Sequence, residues 1–372
     1  MAKPKRRTLP KDFEQLLSAG DVEALKAVFD HCDVDARGGV FKQSALAFND
    51  CPEELTRWLV AKGANLCAID SYGETPLHAH AGHWKGSVDL LIELGADVNH
   101  DAGGRGTPLH RAAAVGNRQT AEALLDHGAR VDAVNASGQT PLVFALQRCA
   151  NAQIERMAPM AERLLRAMSD RPQPPRSLLN RILGGKAKPE PLVTPEMQTL
   201  VLRIGTDFEF HRAGYNPESV NAASEALDRL YRLFEVPPAP RRVLNDGNSP
   251  IVARARRWED QHDELWRRLV PSSGPAATVQ GEMIRIYGRL LIEIEENGAV
   301  NWDADYRKMV DAFLEHARSG QPLPETDLKT ARTASVEARA GRGGAAELCR
   351  LATVWVSLNP EPVPLPSPAY RR

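Results

Sequence analysis

Apolar residues in the first 170 positions recur in short bursts at helical spacing, separated by glycine-rich intervals. In DFEQLLSAGDVEALKAVFDHC the pattern predicts a helix over 13–17, a break at Gly20, and a second helix turning Val22, Leu25, Val28 and Phe29 inward. Residues 87–94 (SVDLLIEL) and 119–127 (QTAEALLDH) place Leu and Ala at i, i+3 and i+4, so each reads as a short helix with one buried face. Further on, EMQTLVLRI is apolar on one face, and Ala223, Leu227, Leu230 and Phe234 form a helical stripe. Two later stripes, Trp258, Leu265, Trp266 and Leu269, then Val279, Met283, Ile286, Leu290 and Ile294, predict a small helical bundle. Near the end, ATVWVSL suits a helix and a strand equally.

The bursts are periodic. TPLH begins at Thr75 and again at Thr107, and TPLV begins at Thr140, spacings of 32 and 33 residues; GAN, GAD and GAR begin at Gly63, Gly95 and Gly128 with the same two spacings. Threonine at a helix N-cap gives its hydroxyl to an orphan backbone N–H, and proline follows at the first helical position, where its missing N–H costs nothing. Gly95 and Gly128 stand just past the second helix of each unit, as left-handed C-caps. DVNHDAGGRG and RVDAVNASGQ supply the Gly, Asn and Asp of a tight finger leading into the next unit. A divergent copy lies upstream, where Ser44 replaces the threonine without a following proline and Pro52 opens the second helix. The last copy keeps its entry but has longer helices and a loop through Asn151 and Ala152.

The TPLH and GADVN signatures resemble the ankyrin repeat, and the resemblance spans residues 11–170. It implies an ankyrin-type α-solenoid of about five repeats, its two ends atypical because they face solvent; residues 171–372 resemble no family, and with their apolar stripes read as a helical C-terminal domain the whole fold is expected to be all-α. The resemblance also implies that His78 and His110 tie neighbouring turns by hydrogen bonds, a role that Val143 interrupts in the last copy.

Domain organisation follows from breaks in the pattern. Residues 1–10, with Lys3, Lys5, Arg6 and Arg7, read as a basic flexible tail; 11–170 are the repeat domain; 171–195, with Pro172, Pro174 and Pro175, are a Pro/Gly-rich linker. Residues 196–356 are a helical domain, either single or divided near 236–250, and 357–372 a proline-rich flexible tail.

Composition narrows the function classes. The 372 residues carry a formal net charge of −1, so no summed field draws the whole molecule to nucleic acid or an anionic membrane. Five widely spaced cysteines without a C-x-x-C pair argue against a disulfide framework or zinc ribbon and for a reducing compartment. No run approaches the roughly 18 apolar residues of a membrane span, and polar residues follow the basic start where a signal peptide needs an apolar core. The expected location is cytoplasmic.

Candidate chemistry is sparse. His78, His80 and His83 suggest a metal tract, but on a helix His78 and His80 point about 200° apart and cannot share one ion; no metal and no other cofactor is expected. Glu293, Glu295 and Glu296 read as a solvated helix face. Asn297, Asn301, Asp303 and Asp305 lack the spacing of a calcium loop, and Asn301 or Asp303 instead caps the helix carrying Tyr306, Met309 and Phe313. Residues 272–282 open a helix without a P-loop pattern. The arginines at 254, 256, 257, 267, 268, 285 and 289 alternate with acids, which favours helix-surface pairing over nucleic-acid binding.

The expected function is a non-enzymatic protein–protein interaction module, an adaptor or inhibitor, whose partner-binding positions on fingers and first helices are Tyr72, Glu74, His80, Arg105, Arg111, Ser137, Gln139 and Phe144. Tyr72, Arg111 and Phe144 are the preferred anchors, since aromatic and arginine side chains dominate binding hot spots. The alternatives are an effector or enzyme whose helical C-terminal domain acts on a recruited target, and an immunity protein neutralising a toxin. No membrane or small-molecule partner is expected.

Overall fold

The computed structural model describes residues 4–83, 88–170 and 191–371. They fall into two compact units: the first runs to Phe208 and includes Asn216–Ala239, and the second comprises Glu209–Tyr215 and the residues from Pro240 onward.

The first unit opens on a small sheet that the apolar pattern does not announce. Strand β1 (Arg6–Thr8) pairs parallel with β2 (Cys32–Gly38), which pairs antiparallel with β3 (Gln43–Ser44). The expectation of a flexible tail over 1–10 is therefore corrected from Lys5 onward. Lys5 Nζ donates to the Phe29 carbonyl at 2.7 Å, the Leu9 N–H donates to the Arg37 carbonyl at 2.9 Å, and the Leu9 side chain is buried. Helices α1 (Phe13–Ala19) and α2 (Val22–His31) follow, joined at Gly20 in the left-handed conformation. Asp21 caps α2 by accepting from two N–H groups. Edge-on rings of Phe13, Phe29 and Phe48 fix this end of the core.

In the divergent copy the first helix shrinks to a 3-10 turn, Ala45–Ala47, before α3 (Glu53–Ala61). Ser44 stands at the cap position but its hydroxyl bonds no backbone N–H, and no proline sets the first helical residue. Regular copies give α4 (Pro76–Ala81), α5 (Asp89–Glu93), α6 (Pro108–Val115), α7 (Arg118–Asp126), α8 (Pro141–Arg148) and α9 (Ile154–Ser169). Of the helix expected over 87–94, Ser87 lies outside the described residues.

The linker expected over 171–195 lies outside the described residues up to 190, and the helical domain expected to begin at 196 does not begin there. α10 (Pro195–His211, its residues through Phe208) and α11 (Pro217–Leu233) belong to the repeat unit. Arg203 donates to the Leu146 and Gln147 carbonyls at 2.9 Å each, and Arg229 pairs with Glu162 on α9 at 2.6 Å. A solenoid leaves the outer face of its last repeat bare, and this helix pair covers it.

In the second unit, α12 (Trp258–Leu269), α13 (Val279–Leu291), α14 (Ala304–His316), α15 (Glu325–Arg339) and α16 (Ala345–Leu358) enclose one core. The ambiguous ATVWVSL segment is helical, within α16. Helix α13 lies at the centre, buried on nearly every face, and the Tyr287 ring meets Phe313 edge-on at 4.2 Å. Its end widens into a π-helical turn, Ile292–Glu296. There Glu293 is buried, not solvated: its carboxylate accepts from the N–H and side chain of Asn301 and from Asn297. Asp303, freed from Asn301's company, caps α14. The proline-rich end is also corrected: residues 359–371 lie along α13, with Tyr370 buried and Thr278 bridged to Pro364. Backbone and side-chain hydrogen bonds to the body of the unit replace the expected flexibility.

Candidate protein-binding face

Each finger is built by one side-chain oxygen. Asp70 Oδ1 accepts from the N–H groups of Tyr72 and Glu74 at 2.8 and 2.9 Å, and Asn135 Oδ1 from Ser137 and Gln139 at 3.0 Å each. In the middle finger alanine occupies that position, Ala102, and Asp101 one residue earlier accepts from Gly104 and Gly106 instead. Backbone bonds close each loop, from Asp70 N–H to the Glu74 carbonyl and from Asn135 N–H to the Gln139 carbonyl. Successive fingers are then joined edge to edge, the Ser71 N–H donating to the Phe41 carbonyl at 2.9 Å and the Ala136 N–H to the Gly104 carbonyl at 2.7 Å.

This frame presents a row of side chains. The Tyr72 ring, half exposed, lies 5.7 Å from the Phe41 ring and under the Arg105 guanidinium, 5.1 Å away. Val40, Ile69 and Val134 are exposed on their own fingers. On the inner helices Phe144 meets the His110 ring edge-on at 5.8 Å and carries Arg148 over its ring at 4.8 Å. Among the described residues neither Arg105 nor Arg148 has a carboxylate within ion-pair distance.

The remaining expected positions are engaged within the array. Glu74 and Arg111, 37 residues apart in sequence, form an ion pair at 3.1 Å; burial raises the Glu74 carboxyl above its ordinary range against the pull of Arg111. His80 Nε2 lies 3.1 Å from the Leu46 carbonyl of the preceding copy. Gln139 holds the side chains of Asn135 and Gln147 and offers its carbonyl to His110, while Ser137 is an exposed finger tip. His78 is fully buried, with Nδ1 at Thr75 and Nε2 3.1 Å from the Gly106 carbonyl; burial pushes it down to about 4. His83 is half-buried, and its carbonyl accepts from Asn117.

The sequence reading missed Phe41, Arg148 and the exposed aliphatic side chains. Phe41 precedes Ser44 by three residues as Tyr72 precedes Thr75, and Ile69 and Val134 each stand six before their threonine, so alignment on the cap residue would have found them.

The family model described as ankyrin repeats, in three copies, matches residues 41–135 and 81–155. The chain is similar to the ankyrin repeat protein nuc-2 of Neurospora crassa, 26% identical over 295 residues, covering 75% of this chain and 26% of that protein. It is similar to the E3 ubiquitin-protein ligase Ufd4 of Drosophila melanogaster, 33% identical over 153 residues, 41% of this chain and 5% of the ligase. It is also similar to the mouse ankyrin repeat and SOCS box protein 16, 37% identical over 99 residues, 24% of this chain and 22% of that protein. The chain thus spans about a quarter or less of the length of these relatives. With the capping threonines, the histidine ties and the finger turns in register with the family match, residues 41–155 are ankyrin repeats and this is an ankyrin-repeat protein over that part of its chain.

Proposed function

We propose that the repeat unit is a non-enzymatic adaptor or inhibitor that grips a protein partner across its fingertips and the adjoining inner helices. The observation that supports this is the row Phe41, Tyr72, Arg105: two aromatic rings in tilted contact and a guanidinium over the second, set across consecutive fingers on a backbone already fixed by side-chain and inter-finger hydrogen bonds. Binding through such a row requires little ordering, which is where much of an interface's free energy is otherwise lost. Aromatic and arginine side chains with exposed aliphatic neighbours have the composition of an interface centre. Glu74 and Arg111 neutralise each other in the free protein and border the row.

The test is affinity capture followed by mass spectrometry, with the wild-type chain and the double variant Tyr72→Ala/Arg105→Ala. Proteins held by the wild type should be depleted more than tenfold from the variant while its thermal unfolding is unchanged. Capture of the same proteins at full strength by the variant would remove the row from the binding site.

A further inference from the structure

In NPEPVPLPSPAY, residues 359–370, proline occupies every second position from Pro360 to Pro368. Successive residues of an extended chain point their N–H groups to opposite edges, so this alternation leaves every donor on one edge. That edge is the one in use. Val363 and Leu365 donate to Gln280 Oε1 and the Ala277 carbonyl, both at 3.1 Å, and the Val363 carbonyl accepts from Val279 N–H at 2.8 Å. The other edge has no donor, and of its carbonyls that of Pro360 accepts from the Ile251 N–H at 2.7 Å.

The body of the second unit reads this segment mainly through its backbone. The fully buried Gln280 amide donates to the carbonyls of Asn359 and Glu361 at 2.8 and 2.6 Å while accepting from Val363. Most side chains between 361 and 369 face solvent, and Tyr370 alone is buried. Its hydroxyl donates to Glu282 Oε1 at 2.6 Å, and its ring lies 5.9 Å from the Arg285 guanidinium. Glu282 and Arg285 are themselves an ion pair at most 1% exposed. Backbone recognition along an edge plus one anchoring pocket is how a sheet edge takes a peptide, and is unlike a core element, which is held by apolar burial. A buried ion pair is also a poor source of stability but a good source of discrimination, here between tyrosine and phenylalanine.

We propose that the groove formed by 277–279, Gln280 and the Glu282–Arg285 pair is a peptide-binding site for extended, alternating-proline segments that end in tyrosine, and that 359–371 occupies it in cis as a displaceable strap. The ligand in trans is a segment of that chemistry on another polypeptide. While tethered, the strap competes at an effective concentration of order millimolar, which keeps the groove closed to weaker ligands.

The experiment uses the full chain with a protease site inserted between Asn359 and Pro360, cut in the folded state, and a fluorescein-labelled synthetic peptide of residues 360–372. The cut protein should release its strap on dilution and bind the peptide saturably, one per chain. The Tyr370→Phe peptide should bind about tenfold more weakly, the Tyr370→Ala peptide at least thirtyfold, and uncut protein should bind none. Unfolding on cutting, failure to rebind, or affinity independent of residue 370 would each overturn the proposal. In the intact chain, hydrogen exchange at the Val363 and Leu365 amides should run at least 100-fold faster than at Leu290 and Leu351; equal rates would show that the strap opens only when the unit unfolds.

Discussion

His78 Nε2 lies 3.1 Å from the carbonyl oxygen of Gly106, and this contact joins the first helix of one repeat to the finger of the next. His110 makes the same tie to the Gln139 carbonyl at 3.0 Å. Since Nδ1 of each ring faces the N–H of its own threonine, the proton belongs on Nε2 and the rings are neutral. Two helix starts and two fingers are thereby locked through one side chain per repeat.

Replacing either histidine with alanine removes that lock. His78→Ala leaves the Gly106 carbonyl and the Thr75 N–H without their partner and opens a cavity where a fully buried ring stood. The expected cost is about 3 to 5 kcal/mol, read as a fall in the urea midpoint. A loss under about 1 kcal/mol would mean that the repeats are coupled by helix packing alone.

Protonation should destabilise the fold at the same ring, because it puts a charge on a buried imidazole and Nδ1 can then no longer accept from the Thr75 N–H. Burial, reinforced by His100 and Arg111 and opposed by the Gly106 hydrogen bond, holds His78 at about 4, against an ordinary value of 6.5; burial lowers His110 in the same direction. Between pH 6.5 and 4 the unfolded chain therefore binds protons that the folded chain refuses. Stability is fully present above 6.5 and falls as pH is lowered, by up to about 1.4 kcal/mol per pH unit for each histidine. The penalty of His78→Ala, taken as the difference from wild type, should shrink over that window, because the wild type is losing what the variant has already lost. A penalty constant from pH 7 to 4.5 would contradict this. Other histidines lowered by burial, His262 and the partly buried His316, cancel in the difference.

The repeat grammar is legible because each of its signals states a local demand of the backbone: a hydroxyl at a cap, a ring at the first helical residue, a glycine at positive φ. Gly95 and Gly128 need no knowledge of tertiary structure to be placed, and both have positive φ. What stays hidden depends on a distant surface. β1 is three exposed residues whose partner lies on β2, beyond two helices. The proline pattern over 171–195 says nothing of which face the helix pair from Pro195 onward will cover. Proline at 360–368 suggests an unpaired chain until one notices that the surviving N–H groups share an edge. In the candidate face, Tyr72 and Arg105 are visible as finger residues, but the Glu74–Arg111 pair exists only once the repeats are stacked.

The second unit offers a charge test. Burial by itself would raise the Glu282 carboxyl, yet the Arg285 hydrogen bonds and charge, with the Tyr370 hydroxyl and the Ala276 N–H, hold it below the usual carboxylate range. Arg285→Met strands a carboxylate in the core and should cost about 3 to 5 kcal/mol. Adding Glu282→Leu removes the stranded charge and should recover a large part of that loss, leaving mainly the unmet bonds of Tyr370 and Ala276. Thermal unfolding of the two single variants and the double variant closes the cycle. Strict additivity would mean that the two side chains do not act as a pair.

Gly288 faces the ring of Trp266 across the contact between α13 and α12, and a Cβ there would overlap the six-membered ring. That ring also stacks against Phe210 at 6.1 Å, so moving it disturbs a second aromatic contact. In an exposed helix, glycine to alanine would stabilise by about 1 kcal/mol. Here Gly288→Ala should instead destabilise by about 1 to 3 kcal/mol through overpacking, and Trp266→Ala placed on top of it should relieve the clash, so that the double variant is more stable than the sum of the two single effects. The six tryptophans of the chain emit together, so the site is read as the difference from the same proteins carrying Trp266→Phe: the Trp266 part of the emission should shift to the red in the glycine variant as the indole is levered toward water. A neutral or stabilising Gly288→Ala with unchanged emission would show that α12 and α13 have room to move apart, and that the glycine is not what sets their distance.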